Sequence, residues 1–246
     1  MTRTTRLALF AVAAAGIAVL LGAAFADLPS FGAARHPYRD ATVTSAIAHH
    51  TANVVSSVNF DTRAIDTLGE EVILLASVVG VATLLRRAEG EHQRRGASGG
   101  RVLELTKFGG YQMLGVTLLI GFDVVAHGHV TPGGGFQGGV VLATGFHLLY
   151  VAGRYGALER LRPLPAFELG EAAGATGFAG LGLAGLAVLG GYLANLWPGG
   201  SFGQLLSAGT VPLLNIAVGI EVASGVVVLL AKFLEQAIAI TDGGVE

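Results

Sequence analysis

The chain has 246 residues, of which 52% are hydrophobic and only 13% charged, and its mean hydropathy is +0.64. That composition excludes disorder and collagen and does not suit a water-soluble domain, whereas 38 glycines spread through apolar runs suit membrane helices, where Gly lets backbones pack closely. A formal net charge of −2 gives no basic field for nucleic acid, and zero cysteines exclude disulfides, thiol catalysis, iron–sulfur clusters and Cys-ligated zinc. No cofactor is expected in this chain, and any redox centre belongs to a partner.

A hydrocarbon core about 30 Å thick needs roughly 20 helical residues. Six segments meet that need: Leu7 to Ala26, Asp66 to Leu85, Phe108 to Ala126, Phe136 to Ala152, Ala172 to Leu193 and Val211 to Ala231. The predicted fold class is therefore an all-α, polytopic membrane helix bundle with both termini in the cytoplasm. With that orientation, 12 of the 15 basic residues fall on the cytoplasmic side, as the positive-inside rule requires. The first segment has a second reading, because Arg3 and Arg6 precede an apolar run ending in Ala24-Phe25-Ala26, which also suits a cleaved signal peptide. Between the first two spans, Ala41 to Val58 has no Asp, Glu, Lys or Arg, which fits a helix at the interface or between subunits. The Gly-rich, basic stretch 91–106 reads as a cytoplasmic linker dividing a two-span part, 1–90, from a four-span part, 107–246. The last two spans are separated by a hairpin break at Asn195 to Gly200, where Trp197 is an interfacial anchor.

Spans three and four are joined by Gly128-His129-Val130-Thr131-Pro132-Gly133-Gly134-Gly135-Phe136-Gln137-Gly138-Gly139. Gly133, Gly135 and Gly138 satisfy G-x-G-x-x-G, but a dinucleotide fingerprint has to follow a strand and open a crossover helix, and here it lies between membrane helices. Five glycines within residues 133–139 would be entropically costly unless the backbone needs unusual dihedrals or very close approach. The loop is thus either a tight re-entrant turn or unwound backbone that guides ions, which is tolerated only where it faces protein or water.

This motif, followed by the apolar run Val140 to Val151, resembles the MnhB family, the B subunit of multisubunit Mrp-type sodium/proton antiporters, and its relatives in membrane-bound hydrogenases. Asn53-Val54-Val55, Asp61-Thr62-Arg63 and Asp66-Thr67-Leu68-Gly69-Glu70 separately resemble the C-terminal region of the antiporter A subunit and its counterpart in those hydrogenases. The resemblance implies an accessory membrane subunit of a monovalent cation/proton antiporter in the cytoplasmic membrane, without catalysis of its own. It contributes to assembly and to the ion path, and its partners are the other antiporter subunits, the lipid bilayer, monovalent cations and protons. The equivalent subunit of an energy-converting hydrogenase or related respiratory complex is the alternative, and a purely structural subunit is a third. Asp123 departs from the pattern, standing near the end of span three where an apolar or aromatic residue is expected.

Intramembrane acids cost roughly 2.5 to 3.5 kcal/mol each on insertion scales and usually face protein or an aqueous cavity. Glu221 is the eleventh of the 21 residues from Val211 to Ala231, close to midplane, and any partner has to come from another helix or another subunit. Glu70 and Glu71 precede only 14 uncharged residues before Arg86, about 21 Å of helix, so spanning draws both inward. Glu70 belongs to the family motif and is the favoured functional carboxylate of the two; the alternative is that both are exposed acids at a helix N-terminus. His147, in the middle of span four, is either a packing residue or a proton relay. Asp123 and His127 lie one helical turn apart and suit a surface hydrogen bond, and His49 and His50 are expected to be adjacent on a helix and to point apart. No metal site is assigned. Gly170, Gly174, Gly177, Gly180 and Ala184 make a small-residue face for close helix approach in span five.

Overall fold

A computed structural model of the chain describes residues 2–28, 32, 36–86, 103–153, 158, 160–161 and 163–240. The expected linker lies outside the described residues up to position 102, as do Arg35, Arg87, Arg94, Arg95, Arg101, Arg154 and Arg162. Two compact units divide the chain at residue 40.

The first unit, residues 1–40, holds helix α1 (Arg3–Ala26), capped where Thr2 Oγ1 accepts the Thr5 N–H at 3.2 Å, and the first residues of α2 (Pro37–Ala48). In the second unit the rest of α2 is followed by the short α3 (Val54–Ser57) and a π-helical turn, Val58–Thr62. The long helices α4 (Ala64–Leu84), α5 (Glu104–Ala126), α6 (Gly135–Val151), α7 (Leu164–Leu189) and α8 (Val211–Ile240) follow. Among the described residues five helices are long and apolar enough to cross a membrane, and α6 is a shorter apolar helix of 17 residues. The protein is an all-helical, multi-pass membrane bundle.

α8 is the hub of the second unit. It packs on α4, α6 and α7 and touches α5 and the π turn, and 61% of its apolar span is buried, against 17% for α4. Phe60 of the π turn, Phe178 of α7, and Leu214, Val218 and Val222 of α8 are the centre of the apolar core. The rings of Phe60 and Phe178 lie 6.3 Å apart. This contact ties the segment before α4 to the α7–α8 pair through dispersion and burial of apolar area.

The last helix runs to Ile240, nine residues past the expected Ala231, and α1 and α5 begin four residues early, at Arg3 and Glu104, so residues 104–106 of the expected linker are helical. Three further differences have a local cause. α7 begins at Leu164 instead of Ala172, because its first two turns, though charged, lie along α8. It also ends earlier, at Leu189, where Gly190 takes the left-handed conformation (φ 75°) that stops a helix. The connection to α8 therefore occupies residues 190–210, longer than the expected break. Finally, His49 and His50 are beyond α2, where the Thr51 N–H closes onto the Ala46 carbonyl at 2.9 Å and His50 adopts φ 56°.

Candidate functional site

The glycine loop is pinned by two asparagines. Asn53 donates from Nδ2 to the carbonyls of Gly128 (2.7 Å) and Thr131 (3.0 Å), while its Oδ1 accepts the N–H groups of Val55 and Ser56 and so caps α3. Its own N–H donates to the His129 carbonyl at 3.0 Å. Asn215, in the second turn of α8, accepts the Gly135 N–H at 2.8 Å, an orphan donor of the first turn of α6. Its Nδ2 donates to Ser56 Oγ and to the Val211 carbonyl, both at 3.1 Å. One amide thereby joins α3, α6 and α8.

Close approach explains the glycines. Gly134 has φ 151°, a region that side chains disfavour. At Gly135 a Cβ would lie 2.2 Å from the Asn215 carbonyl oxygen, so α6 and α8 meet backbone to backbone. Gly138 and Gly139 repeat the contact one turn on, against the Gly121 and Gly219 carbonyls. The start of α6 is therefore wedged between α5 and α8, with no room for side chains.

Beside this wedge lies a cavity of about 480 Å³, walled by Gly133, Gly134, Gly135, Phe136 and Gln137 on one side and by Ser56, Asn59, Thr67, Glu70 and Glu71 on the other. The two segments that carry separate family resemblances thus face the same space. The π turn shapes its rim, with the Asn59 carbonyl accepting Thr67 Oγ1 at 2.7 Å; π distortions are frequent at functional sites.

From the cavity, carboxyl groups lead into the bundle. Glu70 lines the cavity and is exposed, whereas its neighbour Glu71 turns inward and is only 2% exposed. Glu71 is an electrostatic neighbour of Glu221, which is fully buried in α8, and Glu221 is a neighbour of Glu171 in α7, 4% exposed. The glutamates of α7 and α8 are seated on reciprocal glycines. A Cβ on Gly174 would lie 2.7 Å from Glu221 Cβ, and one on Gly225 would lie 3.4 Å from Glu171 Oε1. Among the described residues the Glu71 and Glu221 carboxyls have no hydrogen-bond partner other than each other, a bond that forms only when one of them is protonated, and Oε1 of Glu171 is buried without one. Beyond them, Glu168 and Lys232 form a 3.8 Å ion pair. Such groups can take up and pass protons or attract a cation, because among the described residues no basic side chain pairs with these three carboxyls to offset the desolvation of an ionised form.

The ionisable groups beside Glu221 are the carboxyls of Glu71 and Glu171, on two other helices. Among the predicted residues, Glu70, Glu71, Gly133, Gly134, Gly135, Phe136 and Gln137 share the cavity wall, while Asp123 and His147 lie away from it. Asp123 bonds to His127 Nδ1 at 2.9 Å on an exposed surface, and His147 is half-buried within α6. His49 Nδ1 and Asp61 Oδ2 are paired at 2.5 Å. Buried His129 faces the Leu205 carbonyl from Nε2 at 3.1 Å, and desolvation, reinforced by nearby His127, holds its pKa below the usual histidine value. Among the described residues no group of three or more His, Asp or Glu side chains converges as metal ligands would.

The sequence does not single out two residues that are central to this geometry. Glu171 falls outside a span begun at the first uncharged residue, although Gly170 and Gly174 on either side of it already mark a packed helix face. Asn215 sits in a long uncharged stretch and reads as background, although an amide within an apolar span is costly enough to demand a partner.

A family model described as a domain related to the MnhB subunit of Na+/H+ antiporter matches residues 106–228, the segment that contains the glycine loop, Glu171 and Glu221. Uncharacterized protein MJ1307 of Methanocaldococcus jannaschii is 34% identical over 194 residues, which cover 70% of this chain and 73% of that protein. A chain in the structure of the membrane-bound sulfane sulfur reductase, an archaeal respiratory membrane complex, superposes with a TM-score of 0.70 at 30% identity, covering 95% of this chain and 99% of that one. A chain of the Mrp complex from Dietzia sp. DQ12-45-1b shares the fold, with a TM-score of 0.66 at 23% identity, covering 94% of this chain and 26% of that one. The chain belongs to the family of domains related to the MnhB subunit of Na+/H+ antiporters.

Proposed function

We propose that the protein is an accessory membrane subunit of a multisubunit monovalent cation/proton antiporter in the cytoplasmic membrane, contributing to assembly and to the ion route, with no catalysis of its own. The observation that carries this reading is the cavity where the glycine loop and Glu70 and Glu71 meet, since it opens onto buried carboxyls that a merely structural subunit does not need.

A second reading has its own support. The chain matches 99% of a chain in the respiratory sulfane sulfur reductase but 26% of the chain it resembles in the Mrp complex. This favours the same ion-handling module driven by a redox arm. Affinity purification of the tagged chain from its own membrane, with mass spectrometry of what accompanies it, tests both readings. Partners limited to other membrane subunits, with Na+-dependent proton movement in vesicles, support the antiporter. Iron–sulfur partners and electron-transfer-driven ion movement support the respiratory complex. Purification of the chain without partners overturns both.

A further inference from the structure

Three buried glutamates on three different helices are strung out instead of converging. Glu71 lies at the cavity, on α4. Glu221 lies deeper, on α8, and Glu171 reaches the level of Gly225, one further turn along α8. The next ionisable groups in that direction are Glu168, which is an electrostatic neighbour of Glu171, and Lys232, its ion-pair partner. From Val218, in the cavity wall, to Lys232 is fourteen residues of continuous helix, about 21 Å. The line therefore covers most of a hydrocarbon core about 30 Å thick. One end opens into a cavity large enough for water and the other ends at Glu168, whose side chain is half exposed.

We propose that Glu71, Glu221 and Glu171 form a proton-transfer line within this single chain, running from the cavity beside Gly134 to the Glu168–Lys232 ion pair. The proposal deepens the transport reading given above and rests on it. In each step the O–H bond of a protonated carboxyl breaks as one forms on the neighbouring carboxylate. The donor is left ionised, the acceptor neutral, and the charge of the pair is unchanged. Two features suit this role. The Glu71 and Glu221 carboxyls are bound by no group except each other, and Oε1 of Glu171 by none among the described residues, so a proton can pass along the carboxyl pair without breaking a bond to a structural donor. The reciprocal glycines Gly174 and Gly225 bring α7 and α8 close enough for the two glutamates to lie against the opposite backbone. The charged or titratable groups facing the line are Glu70 from α4, Glu168 from α7 and Lys232 from α8.

The test uses the intact complex in proteoliposomes with a lumenal pH dye, comparing the parent with Glu71→Gln, Glu221→Gln and Glu171→Gln. Because the groups act in series, each assembled variant is expected to lose at least about tenfold in cation-driven proton movement, and the double variant Glu71→Gln/Glu171→Gln should be no slower than the worse single one. Any assembled Gln variant that transports within about twofold of the parent overturns the line. Where a Gln variant does not assemble, Asp replaces it, keeping a titratable group one methylene short. The Asp variant is expected to assemble, to run more slowly and to shift the pH profile; a parental pH profile overturns the line. A parent complex that moves no protons contradicts the transport reading itself, so the two failures are distinguishable.

Discussion

The first turns of α8 and its middle are six residues apart and are built on opposite principles. Asn215 uses its Oδ1 and Nδ2 to bind Gly135, Ser56 and the Val211 carbonyl, and the surrounding backbone is packed so closely that no Cβ fits at Gly135 or Gly139. Glu221, six residues further along and about 120° around the same helix, is bonded by no group except the carboxyl of Glu71. The first region is satisfied and fixed, and the second is buried and chemically uncommitted. A bundle in which every buried polar group was structural would treat both alike, since an unpaired buried group costs about 1–3 kcal/mol. Under the proposed reading, the loop serves assembly and the carboxyls serve ion handling.

The strongest way to break this comparison is at the loop. Gly135→Ala would place a methyl 2.2 Å from the Asn215 carbonyl oxygen, a backbone atom that cannot rotate away. The clash is expected to cost more than about 3 kcal/mol and to abolish recovery of the assembled complex on size exclusion. Gly180→Ala is the control, since nothing lies within 4 Å of that Cβ, and helix propensity makes it neutral or stabilising by up to about 1 kcal/mol. Normal assembly of Gly135→Ala would mean that α6 and α8 are free to separate, and the loop would be only a linker.

Asn215→Ala sharpens the same point with less steric damage. It leaves the Gly135 N–H buried without its acceptor and removes the donor to Ser56, a loss of about 2–4 kcal/mol in all. A clearly lower melting temperature of the detergent-solubilised complex is expected. Asn53→Ala should cost less, about 1–2 kcal/mol, because part of that site is exposed and water can replace the lost bond to Thr131. Equal melting of both variants would show that the loop is anchored from α3 alone.

How much of this is readable from the sequence follows from the same contrast. Hydropathy and basic-residue bias place the spans, and the density of glycines around Gly134 announces a backbone that tolerates no side chains. Long-range pairings are not readable. Nothing local in Asn53 or Asn215 says that they grip the loop from positions 75 and 80 residues away. The midplane position of Glu221 signals a need for a partner, but only the packing of α4 and α7 on α8 supplies Glu71 and Glu171. The adjacent pair Glu70 and Glu71 shows the limit well. The motif emphasises Glu70, which is exposed, whereas the helix rotation of about 100° per residue carries Glu71 to the interior.

The smallest expected effect concerns His129, buried in the loop just outside the spans. Its desolvated ring has a pKa below the ordinary histidine value of about 6.5, so the unfolded chain binds a proton more readily than the folded one. Stability from this group is therefore fully present above about pH 6.5 and falls as the pH drops through that value, by at most about 1.4 kcal/mol per pH unit for one proton. His129→Gln keeps a polar side chain that can still donate to the Leu205 carbonyl but removes the titration. Melting temperatures of the solubilised complex at about pH 7.5 and about pH 5.5 should differ less in the variant than in the parent, and that difference of differences isolates His129 from the carboxyls, which titrate in both. If parent and variant lose stability in parallel, the ring accepts its proton without penalty. The loop end of α8 would then be as open to protonation as its middle, and the division between a fixed end and a titrating middle would fail.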